Sequence, residues 1–312
     1  VKNAIPLHQF FPSYDDALKA SVEGSDPKLS SVSGGASFTK TASFNEAIEV
    51  ARHGDVALTA EVAKITEAIR SAVAIAVPVP QWSGRDVVGD ILDIPHHLSG
   101  QPDAWLVPED SDQSRKGWNV RTLALLAPTT YHSDITTETV RVYGAAIAAL
   151  VETLRAQNHI VTLDAYVSVN NGVHLDVVRL QDAGTYVEPA RLAFTLAHPS
   201  WLRRVWFGLA EGRNENDRKQ IGVYSGYGRP FHIGADDPIS SKIVLQQAQK
   251  LADVEKYDIV FPGLTSNLSA EVLITNVFRF AVNEGLIEAD KLSELVGAAI
   301  EAIKNIQKGG AN

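Results

Sequence analysis

The chain has neither cysteine nor methionine in its 312 residues. Without thiols, disulfides, thiolate metal sites and cysteine nucleophiles are excluded. Without methionine, the core lacks its usual flexible filler, and Val1 is read as following a residue or segment that was lost or left unnumbered. Long apolar runs are missing too. None approaches the ~20 residues that span a bilayer, and residues 1–20 hold Asp15 and Asp16 but no signal-peptide core. There is no surplus of positive charge either: 28 Lys and Arg face 37 Asp and Glu, a net charge of -9. That balance argues against a surface that coats nucleic acid. These absences lead us to expect a soluble intracellular protein without a membrane or nucleic-acid partner.

What is present centres on residues 119–180. Val120 to Ala127 is an apolar run too continuous for a strand with one wet face. After a polar loop from Pro128 to Asp134, Val142, Ala145, Ala146, Ala149, Leu150 and Leu154 recur at helical spacing. His159 to Val169 then alternates with a period of two, and Val173 to Leu180 pairs with it across Asn170-Asn171-Gly172. The unit reads as a buried parallel strand, a crossover helix, a second parallel strand and an antiparallel edge strand. The fold class is therefore α/β, a doubly wound and mostly parallel sheet.

The flanking chain divides by texture. Residues 1–73 read as an N-terminal helical extension, in which Ser13 caps one helix and Ser43 with Glu46 forms a capping box for the next. Gly24 to Ala36, rich in Ser and Gly, reads as a mobile loop. Residues 74–117 read as an extended connector, 118–290 as the α/β domain, and 291–312 as a C-terminal helix and tail. Within the domain, Glu211 to Gln220 reads as a charged loop, Ile221 to Ser225 as a short strand, Tyr257 to Pro262 as another strand, and Ser269 to Asn283 as an amphipathic helix.

Three groups of residues invite chemistry. Asp90, Asp93, His96 and His97 are ligand types that suit Zn, Mn or Fe. They lack the H-x-x-x-H or H-x-H spacing that would force them onto one face, and the alternative is two acids flanking a short strand with a capped turn after Pro95. Arg203 and Arg204, set between Trp201 and Trp206, suit either phosphate binding or a structural clamp on a carboxylate or ring. The third group lies where an open α/β sheet binds ligands, at the strand carboxyl ends. There the loops Pro128 to Asp134, Ser225 to Arg229 and Gly263 to Asn267 would meet. Gly226 and Gly228 match neither G-x-x-x-x-G-K-[ST] nor G-x-G-x-x-G, and Ser225 lies outside G-x-S-x-G.

The order of elements resembles a von Willebrand factor A-like domain, with one antiparallel edge strand. That resemblance implies a metal loop of the form Asp-x-Ser-x-Ser after the first strand. Here the loop runs Ala127-Pro128-Thr129-Thr130-Tyr131-His132-Ser133-Asp134, without the leading aspartate, so the implied site is degenerate. A second resemblance rests on blocks at Ser43 to Ala47, Asp90 to Pro95 with Leu98 to Pro102, and Arg191 to Pro199 with Leu202 to Arg204. These are similar to the blocks of an uncharacterised family spread across phages and bacteria. The resemblance implies a phage or mobile-element origin and assigns no activity.

Two functions follow as expectations. One is a non-catalytic interaction or assembly module, cytoplasmic or virion-associated, with a protein partner or self-association and binding residues Thr129, Thr130, Ser133, Asp134, Arg203 and Arg204. The other is a metal-dependent hydrolase or phosphoryl-transfer enzyme. In that reading His132 is the base, Asp134 or Asp258 holds Mg or Mn, and Arg229 neutralises an oxyanion.

Overall fold

The computed structural model describes residues 7–76, 82–86, 91–92, 105–108, 121–156, 159–183, 185, 188–234, 238–287 and 289–309. In chain order its strands are β1 (His8–Phe11), β2 (Trp82–Asp86), β3 (Ile91–Leu92), β4 (Trp105–Pro108), β5 (Thr122–Pro128), β6 (Ile160–Val169), β7 (His174–Gln181) and β8 (Ile259–Val260). The longer helices are α1 (Tyr14–Gly24), α2 (Phe44–His53), α3 (Val56–Ala76), α4 (Thr137–Ala156), α5 (Pro189–Ala197), α6 (Glu215–Ile221), α7 (Pro238–Ala252), α8 (Ala270–Asn283) and α9 (Leu292–Gly309). Between α5 and α6 a π-helix, Trp201–Trp206, runs into a short α-helix, Phe207–Glu211.

The main sheet is mixed, in the order β1-β7-β6-β5-β8. β5 pairs in parallel with β6 and β8, and β6 pairs antiparallel with β7. The antiparallel strand is not an edge, however, because β1 pairs in parallel with β7 outside it, His8 beside Leu175 and Phe11 beside Val178. The expected turn between β6 and β7 is there. Asn170, Asn171 and Gly172 all have positive φ, at 54°, 59° and 82°, a conformation Asn and Gly tolerate best. A second sheet, β2-β4-β3, is antiparallel throughout. Its β3 is the short apolar strand expected between Asp90 and Asp93.

Side-chain alternation gives the main sheet two unlike faces. Leu123, Leu125 and Ala127 of β5, Val161, Leu163, Ala165, Val167 and Val169 of β6, and Val178 and Leu180 of β7 join a large buried cluster with residues of α1 to α5, α8 and α9. This is the broad face. On the other, Leu126, Tyr166, Leu175 and Val177 meet Phe231, Ile233, Tyr257 and one helix, α7, through Val244, Ala248 and Ala252. This is the narrow face.

α4 was expected to bury one stripe. It is buried on almost every side from Thr139 to Val151, as its run of Tyr143 to Val151 without a charged residue requires. A Cβ at Gly144 would stand 2.2 Å from the Leu196 carbonyl oxygen. The glycine therefore admits α5, not the sheet. Other differences have equally local causes. α3 continues through Ala76, where extended chain was expected. Residues 215–221 form a helix because Asn214 caps it, accepting from the Asp217 amide. Val223–Ser225 is a 3-10 turn between two left-handed glycines, not a strand. Ser13 and Ser43 cap α1 and α2 as expected, although Glu46 reaches back to the Ala42 amide, one residue short of a true capping box.

The Ser/Gly-rich segment after α1 is the largest departure from a mobile loop. Ser31, Thr39 and Thr41 are buried. Two side chains of the 201–211 helix hold the segment by its backbone. Arg204 donates to the carbonyls of Ser31 (2.7 Å), Val32 (2.9 Å), Gly34 (2.8 Å) and Thr41 (3.2 Å). Glu211 accepts from the amides of Asp26 (2.9 Å) and Ser31 (2.8 Å), and from the hydroxyls of Ser31 and Tyr227. One cation collects carbonyls and one anion collects amides, so residues 26–41 are strapped down from both ends of the peptide dipole.

Candidate functional site

The carboxyl ends of β5, β6 and β8 form a rim. Here β5 runs into Thr129, whose amide and hydroxyl both donate to the Tyr166 carbonyl (2.9 and 3.2 Å), while its oxygen accepts from the Trp201 indole (3.3 Å). The Thr130 hydroxyl accepts from the Ser168 amide at 3.2 Å. Both threonines are buried and extend the β5–β6 ladder by one register step each. Tyr131 bridges Leu264, and its hydroxyl reaches the Pro199 carbonyl at 3.4 Å.

The loop then turns outward, leaving Ser133 and Asp134 exposed and His132 half-buried. Asn267 ties it to the loop after β8. Its Oδ1 accepts from the Thr136 amide (2.8 Å) and the Thr139 hydroxyl (3.1 Å), and its Nδ2 donates to the Asp134 carbonyl (3.1 Å). Two of the three expected loops are thus joined. The third, at 225–229, lies beside the end of β6, where the Arg229 amide donates to Asn170 Oδ1 at 2.9 Å. No hydrogen bond or ion pair joins the side chains of His132, Asp134 and Arg229 among the described residues. Asp258 sits at the opposite, amino end of β8, its carboxylate accepting from the Ala124 amide at 2.9 Å.

Arg203 and Arg204 are both buried. The Arg203 guanidinium lies 4.2 Å from the Phe38 ring centroid and 5.5 Å from that of Tyr131, and it donates to the carbonyls of Phe38 (2.6 Å) and Ser133 (3.5 Å). Among the described residues neither arginine clamps a carboxylate. Their partners are rings and backbone carbonyls, and burial lowers the Arg204 pKa.

Between the rim and α5 lies a cavity of about 10 Å³, lined by Thr129, Thr130, Tyr143, Thr195, His198 and Trp201 among others. That is room for one water molecule. His198 accepts from the Ser200 amide through Nδ1 at 3.1 Å, and its Nε2 stands 3.9 Å from Asp55. Burial, only partly opposed by Asp55, pushes the imidazole down to about 4, so it is neutral at pH 7.

Composition could not reveal two carboxylates buried in the sheet. On the broad face, Asp176 accepts from His174 Nε2 (3.0 Å), the Trp206 indole (2.8 Å) and the Arg213 guanidinium. Burial opposes its ionisation, yet Arg213 and then His174 hold the carboxyl at about 2. The Nδ1 of His174 is buried without a hydrogen-bond partner among the described residues. On the narrow face, Asp164 is gripped by Arg179 (2.5 and 3.3 Å) and by the Tyr257 hydroxyl (2.7 Å). There burial wins and its pKa is raised.

Asp90, Asp93, His96 and His97 lie outside the described residues. Among the described residues no group of three or more His, Asp or Glu is placed to hold a metal ion, and no helix is long and apolar enough to cross a membrane. No curated protein and no solved structure matches this chain. One family does, across residues 4–279: the chain belongs to DUF7192, a domain of unknown function.

Proposed function

We propose that this protein is a non-catalytic protein-interaction or assembly module. The observation that carries the reading is the saturation of the rim. Thr129, Thr130 and Arg203 spend their polar atoms on backbone and on Trp201, and the cavity beside Thr129 has room for one water. A substrate-sized site needs roughly 300 Å³ or more.

The order β7-β6-β5-β8, with β7 reversed, supports the von Willebrand factor A-like resemblance; β1 is added outside it. Its metal loop does not fit Mg or Mn. Asp134 is the one carboxylate of residues 127–134, and the two threonine hydroxyls are already engaged, too few oxygen ligands for a hard cation. The setting we infer from the sequence blocks is a phage-encoded or virion-associated complex, with a protein partner, in the cytoplasm or on the particle.

A thermal-shift panel with Mg, Mn, Zn, nucleotides and short DNA tests the reading. A ligand at a hundred times its Kd would add about 2.7 kcal/mol, and a flat panel is expected. A rise with a divalent ion or nucleotide overturns the module and directs attention to His132, Asp134 and Arg229. Presence or absence of the chain in purified particles decides the virion setting.

A further inference from the structure

The β6–β7 turn closes on a dipeptide with chemistry of its own. Among 312 residues, Asn171-Gly172 is the one place where asparagine precedes glycine. The two asparagines of the turn are used differently. Asn170 is fully engaged. Its Nδ2 donates to the carbonyls of Gln220 (2.9 Å) and Ile221 (3.1 Å), its Oδ1 accepts from the Arg229 amide (2.9 Å), and its own amide donates to the Arg229 carbonyl (2.8 Å). Asn171 is exposed. Among the described residues neither its side chain nor the Gly172 amide makes a hydrogen bond. One bond closes the turn, from the Val173 amide to the Asn170 carbonyl at 3.2 Å.

The fold itself imposes this pair. A Cβ at Gly172 would stand 2.2 Å from Val244 Cγ2 of α7, and the backbone there has a φ of 82°, so only glycine fits. Asn171 holds a φ of 59°, a left-handed position that asparagine tolerates better than other side chains do.

We propose that Asn171-Gly172 is a self-modification site, at which deamidation through a cyclic imide yields isoaspartate and opens the turn. The Gly172 nitrogen, giving its proton to water, attacks Asn171 Cγ. The Cγ–Nδ2 bond breaks and the nitrogen leaves as ammonia, which completes a five-membered succinimide. Water then adds to either carbonyl of the ring. One opening leaves aspartate in an unaltered backbone, and the other routes the main chain through Cβ and Cγ as isoaspartate. No oxidant or reductant takes part, and both products add a negative charge. Glycine after the asparagine leaves the attacking nitrogen unhindered. The motion required is a local opening of the turn tip, against the single 3.2 Å bond. Isoaspartate then lengthens the chain between Asn170 and Val173, the two ends of that bond.

The folded protein is incubated warm in mildly alkaline buffer made with heavy-oxygen water. Fragment masses locate the change, and electron-transfer fragmentation tells isoaspartate from aspartate. Asn171 is expected to convert first, with one heavy oxygen gained and both products present. When half of it is lost, Asn170, Asn214 and Asn267, whose side chains are engaged, should be unchanged. Asn171→Gln should stay intact, because its amide would have to close a six-membered ring. In the isoaspartate fraction the Val173 amide should exchange hydrogen faster than in fresh protein. Asn171→Asp, which carries the charge without the added backbone carbon, should exchange as fresh protein does.

The site is overturned if Asn171 outlasts the other asparagines, or if aspartate forms without isoaspartate. Conversion confined to the urea-unfolded chain also overturns it, for the native turn would then protect Asn171. Equal Val173 exchange in fresh and isoaspartate protein overturns the opening of the turn, as does an Asn171→Asp variant that exchanges as fast as the isoaspartate fraction.

Discussion

The two faces of the central sheet solve the same problem with different amounts of protein. Both bury branched aliphatics from alternate positions of the same strands, and in each a carboxylate of the sheet itself is enclosed, Asp176 on one side and Asp164 on the other. The broad face does so beneath many helices, the narrow face beneath α7 and a few loop residues. Asp176 lies deep, with donors from its own strand, the π-helix and the loop at Arg213, and stays ionised far into acid. Asp164 has a bidentate arginine and a tyrosine, yet its pKa rises. The difference lies less in the number of partners than in how completely charge is returned. Arg213 and His174 both lend positive charge to Asp176, whereas Arg179 divides its guanidinium among Asp164, Asp182 and the Ala252 carbonyl. A buried carboxylate is only as stable as the charge it does not have to share.

The sharpest way to break this comparison is to remove one partner. Arg213→Met should cost about 3–5 kcal/mol by leaving Asp176 buried and unpaired, measured by urea unfolding. A loss below about 1 kcal/mol would mean that His174 and Trp206 suffice.

Next come two neighbours on one strand. Leu125 faces the broad side and Leu126 the narrow, and both are fully buried. Each Leu→Ala change should cost about 2–5 kcal/mol. Leu125→Ala should fall at the upper end, because a single covering helix can settle into a cavity more easily than a many-sided packing can. Equal losses would show the narrow face to be as rigid as the broad one.

The carboxylates sharpen the contrast by pH. The native pKa of Asp176, about 2, lies below its ordinary 3.8. Its contribution, about 2 kcal/mol, is therefore full above pH ~4 and lost as pH falls toward 2. Asp164 is shifted upward, so its term has the opposite sign: present at low pH, lost as pH rises through the raised value. Asp176→Asn should flatten the acid limb of the stability profile, and Asp164→Asn should steepen it. An unchanged limb in both would sink the assignment. The smallest effect expected is that of Ser43→Ala, about 1 kcal/mol for a lost cap, seen as a small fall in Tm.

Much of the broad face was legible in the sequence because it is local. The apolar run of β5, the two-residue period of β6, the Asn-Gly turn and the helical repeat of α4 each lie within about 20 residues. β1 was not legible. Four residues that include His8 and Gln9 carry no strand pattern, and what makes them a strand is β7, far along the chain. The charged stretch before Ile221 reads as loop because it is polar through most of its length, although Asn214 marks a helix start. At the rim, the position of Thr129 and Thr130 after β5 followed from topology, whereas Arg203 reads from the sequence only as a clamp or a phosphate ligand. Their engagement did not, since Trp201, Ser168 and Phe38 come from other elements. Residues 24–36 were least legible, because a Ser/Gly segment gives no sign of the Arg204 and Glu211 that hold its backbone.

That strap also sets an order of events. Ser31 and Glu211 are 180 positions apart, and β1 needs β7 before it has a neighbour. On a growing chain the first strand and the strap leave the ribosome long before their partners, and loop closure over such a span is slow. Until then a Ser/Gly stretch of low apolar content, unlike a sticky hydrophobic strand, can wait in water with little risk of wrong pairing. The early part of this chain is made first and must wait for its neighbours.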